Sequence, residues 1–122
     1  MSRPFRVNLD CPELREVLRN MDRYNTRTAV KIEQAIQTST RNIATGVRRR
    51  IPVRTGLSKK STRSRFDVRK VQGTVAVKRP TAHLVEFGHG GPKPAPEHPF
   101  MRPAYEDEKP NLIRNLAEAT RP

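Results

Sequence analysis

Four side chains that could bind a metal lie within one segment of the sequence, at His83, Glu86, His89 and His98. Imidazole and carboxylate groups are normal zinc ligands. Residues 82–87 are predicted to form a β-strand, and in a strand His83 and Glu86 point to opposite faces. A closed zinc site needs four ligand groups, and the fourth candidate, His98, lies further along the chain. The sequence therefore predicts no metal site, and no cofactor is expected.

The residues that could support catalysis are also isolated from one another. Glu86 has no second carboxylate nearby in the sequence for general acid–base chemistry, and a salt bridge to an arginine is the preferred interpretation. Cys11 is the single cysteine, so it is interpreted as a structural residue. Thr55 and Gly56 do not belong to a phosphate-binding G-x-x-x-x-G-K-[ST] loop and fit a tight turn better. We expect that the protein is not an enzyme.

Positive charge is concentrated in one part of the chain. The 122 residues include 25 Lys and Arg against 12 Asp and Glu, a formal net charge of +13. Eleven of these basic residues but a single acid, Asp67, lie between Arg41 and Lys70. Such a block can attract a phosphate backbone or dock on an acidic protein, and charge alone does not choose. The candidate contacts for DNA or an acidic partner are Arg48, Arg49, Arg50, Lys59, Lys60, Arg63, Arg65, Arg69 and Lys70.

The composition predicts one small core. Hydrophobic residues make up 34% of the chain, aromatic residues 5%, and there is no Trp, so little apolar surface is available for burial. We expect a single domain over residues 1–122, with an N-terminal extension at 1–9, an exposed loop at 88–99 and apolar surface completed by neighbours. The chain contains no run of about 18 apolar residues and no apolar stretch typical of a secretory signal at its start. We therefore expect a chain made in the cytosol, with no membrane partner.

A long helix is predicted over residues 10–50. Asp10 is a suitable N-cap, with Pro12 in the first turn. Apolar residues then recur at helical spacing up to the sequence RRRIP, where Pro52 is the expected stop. The pattern weakens at residues 24–28, YNTRT, whose side chains compete for backbone hydrogen bonds, so the helix is expected to bend or restart there.

The periodicity changes to two after the helix. Residues 65–69 and 72–79 predict two antiparallel strands joined near Val71 to Gly73. Alternation places Arg63, Arg65 and Arg69 outward, opposite Phe66 and Val68 on the core side.

The C-terminal part of the chain predicts a third strand, a loop and a helix. AHLVEF at 82–87 predicts the strand, and Gly and Pro residues at 88–99 predict an exposed loop. A helix is expected to open at Pro103 and to be split or bent at Pro110. The predicted fold is α+β, with a long N-terminal helix and a C-terminal helix packed on a small antiparallel β-sheet.

The order of these motifs resembles the tailed-phage neck and tail-completion family, the head–tail joining components of virions. Typical members carry Pro-x-x-Thr-Gly-x-Leu, then Glu-Phe-Gly-Thr at a strand end, then Pro-Phe-x-x-Pro-Ala before a final helix. Two positions depart from the pattern, because Leu57 directly follows Gly56 and His89 replaces the common Thr. The matching positions are Pro52, Thr55, Gly56, Glu86, Phe87, Gly88, Pro99, Phe100, Pro103 and Ala104.

The resemblance implies a structural virion protein that forms a ring, with six copies expected, and joins the head connector to the tail tube. Its implied partners are further copies of itself, a head-side connector or stopper ring, and a tail terminator or tail tube protein, with genomic double-stranded DNA in the lumen as a further candidate. The implied location is the neck or tail top of the virion, after assembly in the host cytoplasm. The alternative is a small basic nucleic-acid-binding protein, but such proteins interleave aromatic residues with Arg and Lys, and the basic block contains only Phe66.

Overall fold

The fold is α+β, as predicted from the sequence. A computed structural model describes residues 5–8, 11–51, 62–77 and 99–121, the first of these segments as backbone only. The elements are β1 (Phe5–Asn8), α1 (Pro12–Arg19), a 3-10 turn (Met21–Arg23), α2 (Thr26–Arg50), β2 (Thr62–Asp67), β3 (Gln72–Val77) and α3 (Met101–Ala119).

The three strands form an antiparallel sheet in the order β1-β3-β2. The predicted hairpin is β2–β3, in which Thr62 pairs with Val77 and Asp67 with Gln72. The sequence did not predict β1, which pairs with the other edge of β3. The predicted third strand at 82–87 and most of the predicted loop at 88–99 lie outside the described residues.

The hairpin turn differs from the prediction. The turn occupies Val68 to Val71, earlier than the predicted turn near Val71 to Gly73. Val68 is therefore not on the core side of a strand but in the turn, where 62% of it is exposed. Val71 has a φ of 50°, a left-handed conformation that is uncommon for a β-branched residue. The alternation of a strand does not extend to residues 68–71, because they form the chain reversal and do not pair with the neighbouring strand.

The predicted break in the N-terminal helix is confirmed. α1 ends at Arg19, the 3-10 turn follows, and α2 begins at Thr26. Asn25 caps α2, because its side-chain Oδ1 accepts a hydrogen bond of 2.8 Å from the backbone N–H of Thr28. The N-cap of α1 is Cys11 rather than the predicted Asp10, with Pro12 in the first turn. α2 ends at Arg50, two residues before Pro52, as predicted.

α2 organises the core. It contacts β2 and β3 on one side and packs most extensively against α3. Its apolar stripe meets the apolar residues of β3 and α3 in one cluster, so a single helix connects both halves of the fold. The largest fully buried side chains include Ile32, Ile36, Val47, Val75, Val77, Phe100, Met101, Leu112 and Leu116.

α2 and α3 approach closely where Gly46 meets Ala104. A Cβ atom placed on Gly46 would lie 3.1 Å from the Cβ of Ala104 and 3.0 Å from Nη1 of Arg50. Contacts this short indicate that the absence of a side chain at Gly46 allows the two backbones to come together.

A polar cluster accompanies the apolar contact between these helices. Oε2 of Glu108 accepts hydrogen bonds from Ser39 Oγ at 2.8 Å, Asn42 Nδ2 at 3.2 Å and Asn111 Nδ2 at 2.9 Å. Ser39 is completely buried. The carboxylate thus satisfies a buried hydroxyl and links α3 to two positions on α2.

α3 is one continuous helix, so the first of the two alternatives predicted at Pro110, a split, is wrong. It begins at Met101, before Pro103, and continues through Pro110 to Ala119. Proline in a helix interior removes one backbone hydrogen bond, yet packing of Leu112 and Leu116 beyond it keeps the second half on α2. Tertiary burial therefore outweighs the local helix-breaking tendency. Among the described residues, no helix is sufficiently long and apolar to cross a membrane.

Candidate interaction surface

The C-terminal end of α2 carries three consecutive arginines, and two of them make contacts within the protein. Arg48 Nη2 donates a 3.1 Å hydrogen bond to the carbonyl oxygen of Thr62, which fastens α2 to the hairpin. Arg50 forms a salt bridge with the carboxylate of Asp107 on α3. Arg49 is exposed. Of these three predicted contact residues, Arg49 is thus the best placed to meet a partner.

The outer face of the hairpin presents two further arginines. Arg63 and Arg65 are exposed and lie opposite Ala76 and Thr74 in the strand register. Arg63 also donates from Nη1 to the carbonyl oxygen of Thr62 at 3.2 Å. The prediction that Arg63 and Arg65 face away from the core is confirmed by their exposure.

Arg69 and Lys70 lie in the turn rather than on a strand, so the alternation that placed Arg69 beside Arg65 does not extend to it. Asp67 orders this turn, because its Oδ1 accepts hydrogen bonds from the backbone N–H groups of Arg69 at 3.0 Å and Lys70 at 3.2 Å. Both cationic residues are exposed. The single acid of the basic block therefore shapes the hairpin end that displays them.

A second basic surface, on α2, was not predicted from the sequence. Seven exposed residues recur at spacings of three or four along this helix, which at 3.6 residues per turn places them on one face. We call this face the outer stripe. The sequence could have predicted this face, because the polar residues of an amphipathic helix recur with the same helical period as the apolar stripe and lie opposite it. The outer stripe consists of Arg27, Lys31, Gln34, Thr38, Arg41, Thr45 and Arg49.

The Pro-Phe-x-x-Pro-Ala motif contributes to the core rather than to a surface. Phe100 is completely buried and Ala104 is 3% exposed, whereas Pro99 is exposed and Pro103 is half-buried. Phe100 is the N-cap of α3, and Ala104 lies against Gly46. The motif therefore fixes the start of α3 on α2, with Phe100 as a core anchor.

Cys11 is buried at the start of α1. Burial raises the pKa of its thiol above the usual value, because an apolar environment disfavours the charged thiolate. The thiol is therefore protonated at neutral pH, which agrees with a structural role.

In the parts of the chain that the structure describes, no group of three His, Cys, Asp or Glu side chains could hold a metal ion. The metal-ligand candidates named from the sequence, His83, Glu86, His89 and His98, lie outside these parts, as do Lys59 and Lys60 of the basic block. Six motif positions are also outside them, namely Pro52, Thr55, Gly56, Glu86, Phe87 and Gly88.

The fold and these surfaces define a small basic α+β protein with basic surfaces on its hairpin and on α2. The chain matches the family model described as "Bacteriophage HK97-gp10, putative tail-component" over residues 15–88, which is more than half of its length. It belongs to this family. Membership makes it a bacteriophage tail component, a part of the virion that associates with other virion proteins. No curated protein and no solved structure matches the chain.

Proposed function

We propose that the protein is a ring-forming neck or tail-completion component, which joins the head connector to the tail tube without catalysing a reaction. The observation that carries this proposal is the family match over residues 15–88. The motif from Pro99 to Ala104 lies beyond that match and extends the resemblance into α3. The proposed location is the neck or tail top of the virion, reached after assembly in the host cytoplasm.

The described surface supports a role in assembly. A ring is built from heterologous contacts, in which two different surfaces of each subunit meet. Charge is unevenly distributed in the chain, because basic residues line the hairpin and the outer stripe, whereas α3 has four acids, Glu106, Asp107, Glu108 and Glu118, against three basic residues, Arg102, Lys109 and Arg114. Neighbouring copies, a connector or stopper ring above, and a terminator or tail tube protein below are the proposed partners.

The first prediction concerns the copy number in the virion. We expect six copies in a closed ring between head and tail, whether the isolated protein is a monomer or not. Native mass measurement of the purified protein, together with electron cryomicroscopy of intact particles, checks this expectation. Particles that lack the protein at the neck, or that contain it without symmetry-matched copies, would contradict the proposal.

The second prediction concerns the hairpin. Changing Arg63, Arg65 and Arg69 together to Ser is expected to leave the fold intact, because all three side chains are exposed. It should impair head–tail joining or DNA retention by about tenfold, which corresponds to about 1.4 kcal/mol of lost affinity for an acidic neighbour or for DNA. Yields of infectious, DNA-filled particles provide the measurement.

A matched control for this hairpin triple removes three other exposed arginines, Arg19, Arg23 and Arg121, each changed to Gln. This control triple lowers the net charge by the same amount at positions that belong to neither basic surface. Normal particle yields are expected from it. Equal yields from the hairpin triple and the control triple would show that the hairpin arginines form only a solvated face.

A further inference from the structure

We propose that the outer stripe of α2 binds the sugar–phosphate backbone of double-stranded DNA. The inference rests on the proposed function for the setting of this contact, since a neck ring encloses the path of the phage genome. It differs from the hairpin prediction in the surface that it names and in the partner to which it commits.

The chemistry of the outer stripe fits a polyanion. It carries four cations, Arg27, Lys31, Arg41 and Arg49, and no acidic residue. Glu33, which is the only acid in α2, is half-buried and lies off this face. Within the described part of the chain, none of these four cationic side chains forms an ion pair. Their charges are therefore available to neutralise phosphates and release condensed counterions.

The neutral members of the outer stripe suit the same partner. Gln34 and Thr38 lie between the cations and are exposed, whereas the hydroxyl of Thr45 already donates to the carbonyl oxygen of Arg41 at 3.1 Å. Amide and hydroxyl groups frequently donate hydrogen bonds to phosphate oxygens and sugars. Groups that can form hydrogen bonds with DNA therefore lie between the cations of the outer stripe.

The length of the outer stripe matches the scale of a duplex. From Arg27 to Arg49 the helix rises by roughly 33 Å, at about 1.5 Å per residue. One turn of B-form DNA is about 34 Å long. The four cations are thus distributed over about one duplex turn, with a pair at one end, Arg41 near the middle and Arg49 at the other end.

Acidic residues on α3 lie beside parts of the outer stripe. The cations of the stripe are therefore not expected to contribute equally to DNA binding. Glu118 lines a groove together with Lys31 and Thr38, so it lowers the positive potential at that position. Near Arg49, Asp107 is paired with Arg50, and Glu108 already accepts three hydrogen bonds. Arg41 and Arg49 should therefore contribute more to binding than Lys31.

The composition of the outer stripe favours DNA over an acidic protein. Centres of protein–protein interfaces are enriched in aromatic residues, Met and Arg and depleted of other charged residues. The outer stripe has arginines but neither an aromatic residue nor Met, and among the described residues the nearest exposed large apolar side chain is Val30 at its edge, which is 45% exposed. Contacts to phosphates and sugars carry no sequence information, which suits DNA that must pass through a ring.

The test measures the affinity of the full chain for a fluorescein-labelled 30-base-pair duplex by anisotropy, at several salt concentrations and with two unrelated sequences. The stripe triple changes Lys31, Arg41 and Arg49 to Gln, which retains good helix propensity. We expect it to lower affinity about tenfold or more at about 0.1 M salt. The slope of log affinity against log salt should fall by about 2.7, or about 0.9 for each lost phosphate contact.

Two comparisons make the result specific. The control triple at Arg19, Arg23 and Arg121 removes the same charge and should lower the slope by less than about 1. The hairpin triple should lower the DNA affinity by less than the stripe triple does. Circular dichroism of each variant establishes that it is folded, and a variant that fails to fold is replaced by the single changes Arg41→Gln and Arg49→Gln.

Equal losses in the stripe and control triples would overturn the inference, and so would a larger loss in the hairpin triple. Wild-type DNA affinity in the stripe triple, combined with failed head–tail joining, would show that the outer stripe binds a protein instead. These outcomes leave the ring proposal standing, because that proposal is judged by copy number and position in particles. Conversely, a misplaced or absent ring would overturn the proposed function without altering the binding result.

Discussion

The Phe100→Ala variant is expected to lose about 3 to 5 kcal/mol of unfolding free energy, the range typical of a fully buried aromatic side chain. Phe100 is completely buried at the N-cap of α3 and belongs to the core cluster, so its removal leaves a cavity in the core. A small domain has a total stability of only about 5 to 15 kcal/mol. Urea unfolding followed by circular dichroism should therefore show a strongly lowered midpoint.

Val68→Ala is the control for this change. Val68 is 62% exposed in the hairpin turn, and exposed substitutions usually alter stability by less than about 0.5 kcal/mol. If Phe100→Ala unfolds like the wild type but no longer enters particles, Phe100 acts at a subunit interface. The prediction that it stabilises the core would then be wrong.

The Glu108→Ala variant is expected to lose about 2 to 3 kcal/mol. Hydrogen bonds to a charged group are worth about 1.5 to 3 kcal/mol, and a buried donor left without an acceptor adds a penalty of its own. Removing the carboxylate deprives the completely buried Ser39 of its acceptor and frees Asn42 from α3. Hydrogen exchange should then accelerate along α3, because the change loosens its contact with α2.

Glu106→Ala provides a matched comparison, since it removes a carboxylate of the same type two residues earlier. Glu106 is exposed, so its loss should change stability by less than about 0.5 kcal/mol. Glu108→Gln should lie between the two, because an amide oxygen can still accept hydrogen bonds but carries no charge. Similar stability for Glu106→Ala and Glu108→Ala would show that the polar cluster contributes little.

Local sequence patterns predicted the parts of the fold that depend on nearby residues. The break before α2 followed from the residues YNTRT, and the structure adds the reason, which is the cap formed by Asn25. The end of α2 before Pro52 and the presence of the hairpin were also predicted, although its first strand is Thr62–Asp67 rather than 65–69. These features depend on backbone chemistry within a few residues, which a sequence displays directly.

Features that depend on distant partners were not predicted. β1 is a short strand whose pairing with β3 joins residues about 70 positions apart, and no local pattern indicates such a pairing. The continuity of α3 through Pro110 depends on burial of Leu112 and Leu116 against α2. The contacts that Arg48 and Arg50 make within the protein were not predicted either. Their partners, Thr62 and Asp107, are distant in the sequence.

The packing of α2 against α3 has a consequence for synthesis on the ribosome. The apolar stripe of α2 is complete at Arg50, but the helix that covers much of it begins only at Met101. At translation rates of about 5 to 20 residues per second, that interval lasts roughly 3 to 10 seconds. During this time the nascent chain exposes Ile36, Ile43 and Val47 without their final partners, so chaperone binding in the infected cell would be most valuable then.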